Sequence, residues 1–513
     1  MSTVEAPAAP VSTEVAWSRL DWRMLLVRPA VDVIRSLPLP VGALLFDRAG
    51  GFWQWIALAA TGFTVVVSVA HILTARYRVT EEQMELRTGI LHRRHRAVPL
   101  DRVRTVDSTA ELKHRLFGLT ALKVGTGRHT KDRSDELVLD AVSRAEAQRL
   151  TTVLLHRRPE VAEPGDGAPV DSGAGAISVQ PKESVLAVFD RRWIRFSPFA
   201  LSGLATVGAI VGFVYHYAHE LHVDPSRFGP LRSLAEYFTA GPSALAIVVA
   251  AVGLMVLVSL ASVAGYVLSF WNFRLTRGNS ALHVRRGLIT TRSVSIEEDR
   301  LRGILLRQPL PVRLLGGARC VAVASGLTAR TGGSVLLPFA PAERAHEVAA
   351  SVLREESDPG TVPLVRHPRR ALNRRLNRAI GGVLLLAVLL FLGAWIGFLP
   401  GWLWKVALVF VPIAAVVGWD RYRNLGHALT ERYVLSRKGS LERETLTLKR
   451  DAIIGWKMDR SFFQHRAGLM TLVATVAAGH GSYPITDMAE SDALKLADAA
   501  IPGLLSPFLE DVP

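Results

Sequence analysis

Five stretches of this chain run without Asp, Glu, Lys or Arg: residues 52–74, 196–215, 242–272, 379–404 and 406–419. A helix that crosses a bilayer needs about 20 consecutive, mostly apolar residues. The first three are separate candidates for spans. The last two are divided only by Lys405, and the Leu399-Pro400-Gly401 break lies just before it. Proline cannot continue a helix and glycine tolerates positive φ, so these residues predict a tight hairpin of two spans, 379–399 and 402–419. A sixth apolar stretch, 36–46, holds Pro38 and Pro40. Alone it reaches about 16 Å at 1.5 Å per residue, roughly half the hydrocarbon core. Extended back to Ala30 it takes in Asp32 and Arg35, which share a helical face at i and i+3 and can pair. It reads either as a span, 30–46, or as a half-buried interfacial helix.

Composition agrees. The 513 residues are 49% hydrophobic, which excludes a disordered chain, and Cys320 is alone, which excludes a disulfide framework. Positive mean hydropathy is unusual for a soluble chain of this size. What remains is a membrane protein with sizeable polar domains. Its helices fall into three pairs: 30–46 with 52–74, 196–216 with 243–271, and 379–399 with 402–419. The connections within pairs hold Arg48, Arg227 and Arg232, only three of 61 basic residues. Arg23 and Arg28 precede the first pair. Arg191, Arg192 and Arg195 precede the second, and Arg366, Arg369, Arg370, Arg374, Arg375 and Arg378 the third. Short flanks rich in Lys and Arg stay in the cytoplasm. The expectation is a multi-pass protein of the cell membrane with both termini and all large segments cytoplasmic. The first 20 residues lack the apolar core of a cleavable signal peptide.

The polar segments after the three pairs can be laid over one another. The first opens Tyr77-Arg78-Val79-Thr80, with Gly89 nine residues after Thr80, Arg102 13 after Gly89, and Gly118 16 after Arg102. The second opens Phe273-Arg274-Leu275-Thr276, then Gly287, with Arg300 again 13 later and Gly316 again 16 later. In the third, Gly439 follows Thr430, Ala452 is 13 later and Gly468 another 16. The third copy departs at Ala452, which replaces the arginine, and at His427, which replaces the opening aromatic. Residues 121–125, 321–324 and 471–475 read as short strands, and 94–98 and 294–297 alternate. Short strands between glycine or charged turns predict an antiparallel sheet or small barrel. One amphipathic helix follows in each copy, 141–155, 341–353 and 488–500. In the first, Ser143 with Glu146 fits a capping box, and Leu150, Val153 and Leu154 form the apolar stripe.

With these features the chain resembles the bacterial pleckstrin-homology-like (bPH2) multi-pass membrane proteins of the YdbT type. The resemblance runs from about residue 20 to 501. It is carried by the opening Tyr77–Thr80, Gly89, Pro99-Leu100-Asp101-Arg102-Val103 and Leu116-Phe117-Gly118-Leu119, and again by Thr276, Gly287, Arg300 and Leu314-Leu315-Gly316. It implies a fold of six transmembrane helices in three pairs, each pair followed by a PH-like small β-barrel or sandwich capped by one α-helix. The order is an N-terminal segment 1–29, hairpin 30–74, domain 75–157, linker 158–195, hairpin 196–271, domain 272–354, basic linker 355–378, hairpin 379–419, domain 420–501 and tail 502–513. It implies no catalytic residue and no cofactor, and as a partner a small single-copy PH-like membrane protein.

The residues offer little chemistry of their own. His216, His219 and Glu220 share a helical face at i, i+3 and i+4, with His222 beyond. They read either as a metal site or as an interfacial helix end facing headgroups. His92 and His95 stand among Arg93, Arg94 and Arg96, a setting that repels cations. There is no phosphate loop and no nucleophile elbow. Cys320, between apolar neighbours, reads as buried packing. The six arginines of 366–378 are the leading binding candidate: juxtamembrane clusters attract anionic inner-leaflet headgroups, about 1 kcal/mol per charge. The same residues also serve to fix topology. Nucleic acid fits the +16 charge poorly, because these arginines lie against the bilayer without interleaved aromatics. Gly89, Arg102, Gly118, Gly287, Arg300, Gly316, Gly439 and Gly468 are repeat positions with a structural or a binding role. The best-supported function is a non-enzymatic membrane scaffold presenting three domains to lipid, peptide or protein. The alternative is an accessory subunit of an export or antimicrobial-resistance system. An enzyme would have the outer histidines as its only foothold.

Overall fold

The computed structural model describes residues 17–25, 29, 52–89, 94–103, 105–125, 137–155, 184–199, 207–209, 212, 244–278, 280–325 and 334–504. The possible span 30–46, the linker 160–175 and the cluster His216, His219, Glu220 and His222 lie outside these residues. The chain divides into two compact units, residues 1–175 with 290–292, and 176–289 with 293–513.

The first unit enters through a two-residue strand β1 (Ser18–Arg19) and the 23-residue helix α1 (Phe52–Thr74). A four-stranded antiparallel sheet follows in the order β1-β2-β3-β4, with β2 (Arg76–Val79), β3 (Gln83–Thr88) and β4 (Arg94–Pro99). A second meander is built from β5 (Thr105–Ala110), β6 (Leu119–Gly125) and β7 (Leu137–Ser143). The short helix α2 (Leu112–Leu116) joins β5 to β6, and α3 (Arg144–Leu155) closes the domain. Met84, Leu122, Val124 and Leu139 fill the core, with Leu150 and Leu154 of α3 pressed onto it. Val153, expected in that stripe, is exposed, and Ala147 is buried in its place. The helix starts at Arg144 rather than 141, because Ser143 is still paired with Leu119 across the sheet. Half of the expected capping box forms: the Glu146 N–H donates to Ser143 Oγ at 3.2 Å. The Glu146 side chain instead accepts from Tyr77 Oη at 3.4 Å.

The second unit holds the other two domains. Residues 196–199, expected to open a span, belong to a 3-10 stretch, Arg191–Phe199, whose Phe196 is fully buried against Gly317 and Val312. Strands β8 (Ser184–Val188), β9 (Arg274–Gly278), β10 (Ala281–Arg286) and β11 (Thr291–Glu297) follow one another as neighbours, with helix α4 (Ala244–Phe270) ahead of β9. The next meander is β12 (Leu301–Pro309), helix α5 (Leu310–Leu314), β13 (Gly317–Ala324) and β14 (Val335–Pro341), closed by α6 (Ala342–Leu353). Two helices, α7 (Arg369–Trp395) and α8 (Leu403–Arg423), form a hairpin. The third domain repeats the plan: β15 (Gly426–Leu429), β16 (Tyr433–Lys438), β17 (Glu442–Lys449), β18 (Ile453–Asp459), α9 (Phe462–Arg466), β19 (Leu469–Val476), β20 (Ser482–Ala489) and α10 (Glu490–Ala500).

The second and third domains share one sheet, ordered β14-β13-β12-β17-β16-β15. Its side chains alternate between two cores. Ile304 and Leu306 of β12 pack with Cys320, Leu337 and Leu435, whereas Leu305 packs with Val434, Leu446 and Leu472 of the third domain. A central strand buried on both faces reads as a continuous apolar run, which is what Ile304-Leu305-Leu306 is. Cys320 is fully buried there, and burial pushes its thiol far above the usual range, so it packs as a small hydrophobe.

Among the described residues, three helices are long and apolar enough to cross a membrane: Val248–Phe270, Arg369–Trp395 and Leu403–Arg423. The α7–α8 turn lies at 396–402, with Gly397 at φ +83°, and α7 begins at Arg369, nearly three turns before the expected start at 379. Gly418 lets the two helices touch, since a Cβ there would lie 3.3 Å from Arg375 O and 3.2 Å from Leu376 Cδ2.

Candidate functional site

The repeat glycines take the same conformation in every copy. Gly89, Gly287 and Gly439 have φ of 110°, 110° and 100°, and Gly118, Gly316 and Gly468 have 70°, 72° and 62°. Glycine adopts such angles without the strain that a Cβ brings. The first set turns the hairpin into β4, β11 and β17, and the second ends the short helix before β6, β13 and β19. Arg102 is exposed, Arg300 pairs with Glu297, and Ala452 is buried in the third core.

One strand position recurs as an anchor for the chain that leads to its domain, a segment ahead of the helices in the first and third copies and helix α4 itself in the second. It is the third residue before each closing helix: Ala141, Phe339 and Asp487. The Ala141 carbonyl accepts from Asp21 N at 3.2 Å, that of Phe339 from Tyr266 Oη at 2.8 Å, and that of Asp487 from His367 Nδ1 at 3.1 Å.

In the third copy this residue also carries charge. Asp487 is 1% exposed and stands in the left-handed region at φ 61°. Its Oδ2 accepts from Arg375 Nε at 3.0 Å and Nη2 at 2.8 Å. Its Oδ1 takes Arg374 and the Gln464 amide, the latter at 3.1 Å. Charge-assisted bonds of this kind are roughly twice as strong as neutral ones. The basic run is therefore divided. Arg374 and Arg375 are turned inward as a clamp between helix α7 and the domain, while Arg366, Arg369, Arg370 and Arg378 are exposed. Arg378 falls on the clamp's side of the helix at i+4 from Arg374 and i+3 from Arg375.

Below the hairpin these groups line a cavity of about 480 Å³. Arg374, Arg375, Arg378, Arg421 and Lys438 face Glu442, Glu444 and Asp487, so five cations meet three carboxylates. Ser461, Gln464, Thr471 and Thr486 add hydroxyl and amide groups. Asp420, next to Arg421 at the foot of α8, accepts from Ser440 Oγ at 2.9 Å and pairs with Arg313 at 3.3 Å, which ties the helix to both domains. The volume suits a small ligand, and a surplus of cations with neutral donors suits an oxyanion. The short helices beside the entry segments carry outward apolar residues, Leu116, Leu314 and Phe462, each about three-quarters exposed.

The departure at His427 has a local reason. Its Nδ1 lies 3.2 Å from Nε2 of His367, and both rings are buried. His95 reaches Glu85 at 3.1 Å; Arg78 and then His95 hold that buried carboxylate down at about 2. Among the described residues no group of three His, Cys, Asp or Glu could hold a metal. Sequence reasoning missed Asp487, because nothing local marks an aspartate whose arginine and histidine partners lie more than 100 residues earlier.

Sheet-and-helix domains repeated after apolar helices define a membrane protein with tandem PH-like domains. The chain belongs to the bacterial PH-domain family, described as Bacterial PH domain, which matches residues 34–158, 230–356 and 380–500. It is similar to the UPF0699 transmembrane protein YdbT of Bacillus subtilis (strain 168), with 22% identity over 484 residues, 91% of this chain and 94% of that protein. No solved structure matches it.

Proposed function

We propose that the protein is a non-enzymatic membrane scaffold that presents three PH-like domains at the cytoplasmic face on six helices in three pairs. Its third domain holds the headgroup of an anionic inner-leaflet lipid. The carrying observation is the cavity at the foot of α7 and α8, with its cation surplus and its fixed donors. Arg378 and Arg421 have no ion pair among the described residues, and they stand where the helix pair leaves the domain. A headgroup phosphate there meets two free guanidiniums, while the acyl chains continue along the apolar hairpin. Leu116, Leu314 and Phe462 fit the same picture, because apolar residues beside the entry segments can rest in the interfacial layer.

The test is lipid retention by the full-length protein purified in mild detergent and offered phosphatidylglycerol or phosphatidylcholine. The wild type is expected to retain the anionic lipid selectively. Replacing Arg378 and Arg421 with Gln removes two charges of about 1 kcal/mol each, so affinity falls about thirtyfold. Equal retention of both lipids, or no loss in the double variant, would overturn the reading.

A further inference from the structure

The second and third domains are joined by a backbone pairing that the last domain is shaped to make again. β12 and β17 run antiparallel from Gly303 opposite Leu448 to Pro309 opposite Glu442. Gly303 is the tightest point of that junction: a Cβ there would lie 2.2 Å from the Thr447 carbonyl oxygen and 3.1 Å from Leu448 Cα. Glycine within a strand often marks such close backbone approach.

In the third domain β18 occupies the place of β12, and Gly455 stands where Gly303 does. Each strand breaks register just before its glycine, between Leu301 and Gly303 and between Ile453 and Gly455. β18, however, ends its sheet, whose order is β18-β19-β20. A Cβ on Gly455 would meet nothing within 4 Å. Met458, in the place of buried Leu306, is 38% exposed, and Ile454 is 64% exposed. The strand keeps the glycine, the bulge and the apolar residues of a junction, with no strand against it among the described residues.

The complementary edge is also present in the chain. The counterpart of β17 in the first domain is β4, the last strand in the order β1-β2-β3-β4. We infer that β18 of one copy pairs antiparallel with β4 of a second copy, in the register of β12 and β17, joining chains head to tail. The pairing repeats a relation already made between two domains that follow membrane helices, so both copies keep one orientation in the bilayer. Because the two edges differ, the contact is heterologous and extends into rings or rows. Lys457 and Asp459 guard the edge against indiscriminate pairing. In this register Lys457 falls opposite Arg96, which makes the contact weaker than the internal one and dependent on protein density in the membrane.

The test uses two differently tagged full-length copies, both with Cys320→Ser. One carries Met458→Cys and the other His95→Cys, which correspond to the facing pair Leu306 and Thr445. Mild oxidation in membranes is expected to link the two tags. Adding Gly455→Val to the first copy should cut the link at least tenfold while the protein still folds, since the site is open in the single chain. The same change at Gly303 should prevent folding. No link between tags, or a link indifferent to Gly455→Val, would overturn the inference. A chain that stays single while the β18 amides resist hydrogen exchange would place a different occupant on the edge, and would overturn it equally.

Discussion

Asp487 and Arg375 meet across 112 residues of sequence, with the guanidinium Nε 3.0 Å from the carboxylate. The bond fastens the start of a membrane-length helix to the last strand of the domain that follows it. Asp487 is almost wholly buried, and Arg374 and Arg375 have side chains only 20% and 16% exposed. Removing one partner of such a group leaves the others charged and unpaired, which is where most of the penalty arises.

Asp487→Asn should therefore destabilise the third domain by about 2–4 kcal/mol. Asparagine tolerates the left-handed backbone, so the loss reports on charge rather than strain. Thermal unfolding of the detergent-purified protein reads it. Adding Arg375→Gln should cost less than the sum of the single changes, because both act on one network.

The His367–His427 pair predicts an acid-sensitive joint. Burial first, then the neighbouring His427, holds His367 down at about 4, against 6.5 when unfolded. Its Nδ1–H donates to the Asp487 carbonyl, which leaves Nε2 to accept from His427 Nδ1. Arg375 adds positive charge nearby, and Tyr422 Oη donates to the His367 carbonyl at 3.0 Å. The unfolded chain gains this proton below about 6.5 and the folded one only near 4. Stability is thus complete above 6.5 and is lost as pH falls toward 4, by about 3 kcal/mol in all. Unfolding midpoints between pH 7 and 4.5 should show that slope, and His367→Gln should reduce it to the part that burial of His427 contributes.

Glycine substitutions separate two kinds of constraint. At Gly439 an added Cβ would lie 1.8 Å from the Glu442 carbonyl oxygen, on top of φ +100°, while at Gly316 nothing lies within 4 Å. Gly316→Ala should cost about 1 kcal/mol, the price of the backbone conformation alone. Gly439→Ala should cost several times that, because the hairpin must open. Chemical denaturation in detergent compares the two.

These glycines explain what was legible in the sequence. The spacings repeat because the first interval runs from an obligatory positive-φ glycine through a strand to a 3-10 turn, and the second from that turn through a strand and a short helix to the next positive-φ glycine. Local chemistry fixes those points, so they show in a single chain. The strand-to-helix switch at Ser143 was less legible, since cross-strand pairing with Leu119 decides it. Val153 and Ala147 exchanged places for a related reason: the sheet core beneath it selects the buried face of the helix. The Asp487 hub and the β12–β17 junction left no local trace, because their partners are distant in sequence. The arginine cluster was visible as charge. That two of its members turn inward became clear only once Asp487 stood beside them.

In the proposed arrangement all three domains face the cytoplasm, beneath six spans. Cysteine labelling in intact cells tests it most directly. In a Cys320→Ser background, single cysteines are placed at Gly165, Ser357 and Glu510, with Ser226 as the outer control. An impermeant thiol reagent should label only the Ser226→Cys protein, and the other three should react only after the membrane is opened. Labelling of the Gly165 or Ser357 cysteine in intact cells would contradict the pairing of the helices and place a domain outside.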